Sequence, residues 1–495
     1  MSTTATEVKS QLRRELNFWD VLFFNIATVL GPRWIASAAN SGPSSLSIWT
    51  IAALFFFVPT ALIIVELSTR YPTEGGLYIW AKEAFGEFHG FVAGWAYWTY
   101  TMFYFPGLLL ASASMAAYIG GDKTAYLHDS KPFLLVVCLL MLAVAVILNI
   151  IGLNIGKWLQ NAGGVGTYIP LLMLVGMGAY IYFHSGSQTP INWSNVIPTK
   201  KNLDLDTINL WASIAFAFTG LELCSAMSEE VKNPQKTIPR AIYAAGIMIA
   251  VIYILGTIAV MVMVPSQNVD PKSGVFQAIH DGSALIGIAF FSIIAALLVT
   301  VGNAGGVGST VAGISRVPFV VGIDHYLPAA FGKIHPRWKT PWVSILVQAI
   351  ISAAVLIISS VSEKTKTAYG ILVNAAILLY FLPFLYMYGA AIKLAFRKDR
   401  AANRGAVLIP GGKLGVCITG AISFAITLGA MIVSAIPPGD IRQEHHVLRY
   451  ESQLIGETLI TVLIGLFLYW YAQKDIRKAR RDSLTTEIRV SKQPK

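Results

Sequence analysis

Charge is what this sequence has least of. Asp, Glu, Lys and Arg make up 13% of its 495 residues, where a soluble domain carries about 25%. Half the usual charge cannot wet the surface of a globule this long, so a string of soluble domains is excluded. Cysteine is equally scarce. Cys138, Cys224 and Cys417 lie in or beside apolar runs, with no CxxC spacing. That excludes a disulfide framework and a cysteine-held metal. His184, His280, His325 and the pair His445-His446 lack metal-ligand spacing and a nucleophile partner, so no enzyme, metal or cofactor is expected. The opening stretch, MSTTATEVKSQLRREL, has no apolar core before a small-residue cleavage site. A cleaved signal peptide is therefore not expected, and the first apolar span would direct insertion.

What the sequence has in excess is apolar length. Hydrophobic residues make up 55% of the chain, and mean hydropathy is +0.61. A membrane-spanning helix needs ~20 mostly apolar residues. Twelve such runs stand at about 18–40, 47–69, 90–119, 132–152, 163–184, 207–229, 241–264, 284–312, 341–360, 367–393, 414–436 and 453–472. The net charge of +11 sits between these runs, which favours a lipid bilayer over nucleic acid as the partner. With the N-terminus cytoplasmic, inner segments hold 27 of the 37 Lys and Arg and outer loops hold 9. This threefold bias predicts that both termini are cytoplasmic. The predicted organisation is a cytoplasmic segment 1–17, a twelve-helix domain 18–472 and a basic tail 473–495 without regular structure. The inner loops 70–89 and 313–340 are expected to form short helices at the membrane interface.

Two spans carry breaks at mid-length. The first contains Gly31-Pro32, and proline removes a backbone donor and clashes with the preceding turn. The sixth contains AFAFTGLEL, with Gly220 and Glu222. Gly31-Pro32 alone reads equally as an ordinary kink. With the sixth span broken at the matching place, an inverted repeat is the better reading: about 18–184 against 207–393, with 414–472 added. Broken helices are tolerated in lipid where they line a protein cavity. Their exposed amides suit an anion and their carbonyls a cation, as the carboxylate and ammonium of an amino acid require. Glu222 within a span is costly unless paired or wet, and reads as a gate, a proton-titrating switch or a helix-stabilising carboxylate. Arg33 would attract an anionic substrate, pair with Glu222 or snorkel outward. Phe216 reads as a cover over a bound solute or as packing, and so do Tyr97 and Trp98. Gly302, Gly305, Gly306 and Gly308 make the eighth span small-faced, suited to close packing. A cation site at Ser309 and Thr310 is the minor reading there.

At these residues the chain resembles the amino acid–polyamine–organocation superfamily of transporters. The likeness is carried by FTGLELCSAMSEEVKNPQKTIPRAI at 218–242, ELSTRYPTEGGLYIWAKEAFGEFHGFVAGW at 66–95 and SRVPFVVGIDHYLPAAFGKIHPRWKTP at 315–341. IPGGKLG at 409–415 and SAIPPGDI at 434–441 look most like the glutamate/γ-aminobutyrate antiporter branch. The resemblance implies an all-α membrane protein with a LeuT-like 5+5 inverted repeat plus two helices. It implies substrate held at Thr28, Val29, Leu30, Gly31, Arg33, Ala217, Thr219 and Gly220, with gating by Tyr97, Phe216 and Glu222. Two departures stand out. Many members carry Gly-Ser-Gly in the first helix, where this chain reads ATVLGPRW, so the carboxylate cradle is displaced or remade. Thr167 falls near the fifth-helix lysine of proton-coupled and some exchanging members, and no Lys or Arg lies between Lys157 and Lys200. The expected function is a cytoplasmic-membrane amino acid exchanger working by alternating access. The alternatives are a proton- or sodium-coupled symporter, a polyamine carrier or a non-transporting sensor. Substrate side chain and oligomeric state are not legible.

Overall fold

The computed structural model describes residues 14–198, 205–271, 273–288, 290–362, 365–397, 405–437 and 447–491. Among these, twelve helices are long and apolar enough to cross a membrane. They are α1 (Phe18–Asn40), α2 (Ser45–Arg70), α3 (Glu87–Gly120), α4 (Lys131–Ile151), α5 (Ile155–Ser185), α6 (Asn209–Glu230), α7 (Pro234–Met263), α8 (Phe290–Gly322), α9 (Trp342–Ser360), α10 (Ile371–Ala395), α11 (Gly412–Ser434) and α12 (Tyr450–Lys474). The expected number of spans is borne out. The fifth and seventh begin earlier than hydropathy alone placed them. In α7 the extra turns start at Pro234 and carry Pro239 within the helix. The final helix runs Val447–Ser491, so the tail expected to lack regular structure continues the helix beyond the apolar run. His445 and His446 lie outside the described residues.

Helix α1 starts on a capping box. The Asn17 side chain accepts from the Trp19 and Asp20 amides, while Asp20 accepts from the Asn17 amide at 3.0 Å, satisfying donors that the first turn leaves free. Its first half ends at Val29. Leu30 and Gly31 are extended, and Pro32 opens the second half at the position where its missing N–H costs nothing. In α6 the regular helix ends at Ala217, Gly220 takes φ +116°, and a 3-10 segment continues over Leu221–Glu230. Both expected breaks are present.

The glycines of α8 pack as their spacing predicts. A Cβ on Gly163 of α5 would meet the Gly305 Cα at 2.6 Å, and one on Gly306 would meet the Ala27 carbonyl oxygen at 2.7 Å. Helix α8 therefore lies tight against α5 and the first half of α1. Thr167 is buried at this α5–α8 seam beside Gly302. After α2 a short helix, Leu77–Phe85, turns its Leu77, Tyr78, Trp80 and Ala81 into the protein. After α8 a 3-10 turn forms over Ala329–Gly332.

Candidate functional site

The two breaks lie side by side. A Cβ on Gly220 would meet Val29 Cγ2 at 3.0 Å and the Thr28 carbonyl oxygen at 3.5 Å. Positive φ and this close approach both call for glycine. One hydroxyl joins the breaks. Tyr253 Oη of α7 lies 2.6 Å from the Val29 carbonyl oxygen and 3.1 Å from that of Ala217, and it accepts from the Gly31 amide at 3.1 Å. Its ring stacks on Trp49 at 4.4 Å. Helix ends interrupted in an apolar region leave backbone groups that must find partners, and Tyr253 supplies several at once.

Between the breaks is a small cavity. Thr28 and Val29 line it from α1, and Phe216, Ala217, Thr219 and Gly220 from α6. The other walls are Trp34 on the second half of α1, Tyr100 and Tyr104 on α3, Leu223, Thr310 on α8 and Tyr380 on α10. The walls close in so far that little more than one water molecule fits. Phe216 is the hub of this aromatic enclosure. Its ring meets Trp34 at 5.6 Å, Tyr104 at 5.9 Å and Tyr380 at 5.4 Å, all edge-to-face, the arrangement that ring quadrupoles favour. The Thr28, Thr219 and Thr310 hydroxyls each donate to a carbonyl of their own segment, which leaves their lone pairs as acceptors.

Glu222 stands behind the break, 1% exposed. Its Oε2 accepts from the Gly220 amide at 3.0 Å. Its Oε1 accepts from the Tyr97 hydroxyl at 2.9 Å and from the Tyr380 hydroxyl. The carboxylate thus braces the start of the second half of α6 and ties it to α3 and α10. The helix-stabilising arrangement and the contact with Tyr97 occur together.

Arg33 does not snorkel and does not pair with Glu222. It is buried, with its guanidinium 4.4 Å from the Trp34 ring centre and 5.1 Å from that of Tyr104. Of the residues expected to hold substrate, Leu30, Gly31 and Arg33 adjoin the cavity without lining it.

Sequence reasoning missed Trp34, Tyr100, Tyr104, Tyr253 and Tyr380. A signal existed for two of them: Tyr97, Tyr100 and Tyr104 repeat at i, i+3 and i+7, one helical face. Tyr253 is a lone aromatic in an apolar stretch, and Tyr380 is one of five aromatics between 380 and 388, where nothing local singles it out.

A second polar cluster closes the bundle end that carries loop 70–77. Arg316 donates from Nε and Nη2 to the two carboxylate oxygens of Glu230 at 2.8 and 3.2 Å, and from Nη1 to the Ala312 carbonyl at 2.6 Å. Glu74 lies 3.9 Å from Arg316 and exchanges backbone-to-carboxylate bonds of 3.2 Å with Glu229. Burial pushes the Glu74 carboxyl well above the usual carboxylate range. The charge of Glu230 adds to this, and Arg316 opposes it. The chain before α1 closes over the cluster: the Glu15 and Leu16 amides donate to the Glu230 carbonyl, and the Lys232 amide donates to that of Leu16.

A twelve-span bundle whose two interrupted helices enclose a small aromatic cavity is the architecture of a membrane carrier. The family profile described as "Amino acid permease" matches residues 16–455, and the chain belongs to that family, within the superfamily its motifs resemble. It is 28% identical to an uncharacterized transporter of Legionella pneumophila, over 91% of this chain and 96% of that one. It is 24% identical to a probable agmatine/putrescine antiporter of Lactococcus lactis, over 90% and 92% of the two chains. A glutamate/gamma-aminobutyrate antiporter of the same species is 23% identical, over 85% and 83%. Among solved structures, MhsT in complex with L-phenylalanine superposes with a TM-score of 0.64 at 14% identity, over 85% of this chain and 99% of that one. The fold is the LeuT-like one that the resemblance implies.

Proposed function

We propose that this protein is an amino acid exchanger of the cytoplasmic membrane, with both termini cytoplasmic, working by alternating access. The observation that carries the reading is the convergence of both helix breaks, through Tyr253 and Gly220, on one closed aromatic cavity braced by Glu222. The ends of the broken helices near Thr28–Arg33 and Ala217–Glu222 bind the α-amino and carboxylate groups. Phe216 covers the site, and Glu222 with Tyr97 gates it. Release of Glu222 from Tyr97 and Tyr380 would free α6 from α3 and α10. The seam of α5 and α8 carries Thr167 rather than a lysine, which favours exchange over lysine-based proton coupling.

The test is uptake of labelled amino acids into liposomes holding the purified protein. Uptake should require internal amino acid and stay indifferent to an imposed proton or sodium gradient. Glu222→Ala should abolish it while the protein still inserts. Uptake into empty liposomes driven by an ion gradient would make the protein a symporter instead. Binding without flux would make it a sensor.

A further inference from the structure

Arg33 is 3% exposed, and its Nε is enclosed without a partner. Among the described residues, its guanidinium has no hydrogen bond or ion pair, only the faces of Trp34 and Tyr104. Arginine stays protonated. A desolvated cation without a counter-charge is expensive, and two aromatic faces offset only part of that. Glu222, the carboxylate at the other break, already accepts from the Gly220 amide and two tyrosine hydroxyls. The charge left uncompensated beside the cavity is therefore positive.

The backbone around Arg33 is poor in donors. The Gly31 amide is taken by Tyr253, Pro32 has no N–H, and the Trp34 amide donates to the Gly31 carbonyl. The break of α1 cannot cradle an anion with consecutive backbone amides. The guanidinium, on the first turn of the second half of α1 and stacked on two cavity walls, is the donor set at that place. Its planar fork matches a carboxylate in two-point geometry.

We infer that Arg33 is the receptor for the substrate's carboxylate, in place of a backbone cradle, and that the site rejects amines lacking a carboxylate. The inference rests on the reading of the cavity as an amino acid site. With carboxylate on guanidinium, the buried cation gains its counter-charge only when substrate is bound. The substrate's ammonium then faces the carbonyl-rich ends and threonine lone pairs across the cavity.

Matched pairs that differ only by the carboxylate test this: arginine and agmatine, ornithine and putrescine, serine and ethanolamine. The twenty amino acids, with these three amines, are screened by counterflow in liposomes and by thermal shift of the full-length protein. In the native protein an amino acid should bind and exchange where its decarboxylated partner does not. In Arg33→Gln the preference should shrink by about 10- to 100-fold, the weight of a charge-assisted hydrogen bond or two. Arg33→Lys, a point charge without the fork, should fall between. Size-exclusion profiles of both variants check that they fold. An unchanged preference in Arg33→Gln would overturn the inference, and so would native exchange of agmatine or putrescine as fast as of arginine or ornithine. In either case amino acid exchange itself would still stand. If the native protein exchanged no amino acid at all, the proposed function would fall and the inference with it.

Discussion

Arg316 and Arg33 are both buried in this bundle, and their surroundings differ. Arg316, 1% exposed, grips Glu230 with two nitrogens and spends a third on the Ala312 carbonyl. Arg33 has aromatic faces and no carboxylate. The first cation is compensated by the protein itself, at the end of the bundle where the chain before α1, loop 70–77 and the ends of α6 and α8 meet. The second stands beside the cavity between the broken helices. A buried charge that is fully paired holds elements together. One that is unpaired taxes the empty protein and is relieved by a ligand.

The largest expected effect is on stability. Arg316→Gln strands Glu230 and Glu74 without their cation. Breaking a buried pair by removing one partner costs about 3–5 kcal/mol, so a marked loss of thermal stability in detergent should follow. Arg33→Gln removes a charge that has no partner to strand, and stability should hold or rise. Melting curves of the two purified variants, read beside the native protein, check the contrast. Equal losses would mean that Arg33 is paired in the working protein and that the two cations do not differ in kind.

Tyr253 offers an intermediate case, a neutral group that satisfies several backbone partners at once. Tyr253→Phe keeps the stacking on Trp49 and deletes the hydroxyl. The Val29 and Ala217 carbonyls and the Gly31 amide then lose it. Each unsatisfied buried group costs about 1–3 kcal/mol, and part of this is recoverable through bound water. The two breaks would no longer be held at a fixed separation, and the apparent KM for exchange should rise by roughly tenfold. Initial exchange rates over a range of substrate concentrations measure it.

Much of this architecture was legible because it is local. Apolar runs mark spans by length alone, and Gly31-Pro32 and Gly220 mark breaks because proline and left-handed glycine act on their own neighbours. The small face of α8 followed from glycine spacing. Glu222 was marked as a carboxylate in the wrong medium, and the resemblance named Tyr97 with it as a gating residue. Tyr380 and Tyr253 were not marked, since each acts on residues far away in the chain through a side chain that resembles its apolar surroundings. Arg33 was visible as a charge in a span, yet its fate depended on Tyr104 of α3, a residue distant in sequence whose ring its guanidinium meets. The Glu74–Glu230–Arg316 cluster draws on three separate stretches of chain, each of which carries the resemblance but shows nothing of the other two it meets. The helical continuation to Ser491 lies beyond the apolar period, where composition alone read as an unstructured tail.

The paired cluster is also the place where acidity should act. Glu74 is buried among Glu229, Glu230 and Arg316, and burial first, then Glu230, raise its carboxyl above the usual range. A carboxyl whose folded value is raised stabilises the closed arrangement fully at low pH. That contribution is lost as pH rises through the folded value, because the ionised form is the one burial penalises. With Glu74 protonated, Arg316 faces one net negative charge; with Glu74 ionised it faces two. The closed end should therefore hold most firmly in acid and open more readily toward neutral pH. In the proposed alternating-access cycle that end opens, so exchange should speed up over the same interval by a few-fold. The titration itself caps the effect at about tenfold per pH unit, since a tenfold change in proton concentration is worth at most about 1.4 kcal/mol to one titrating group. Glu74→Gln is locked near the protonated form and should flatten the dependence at the slow, acidic rate. Exchange measured from pH 5 to 8 in both proteins decides it. If the variant keeps the native slope, the titrating group lies elsewhere, and the cluster serves only as a structural clasp.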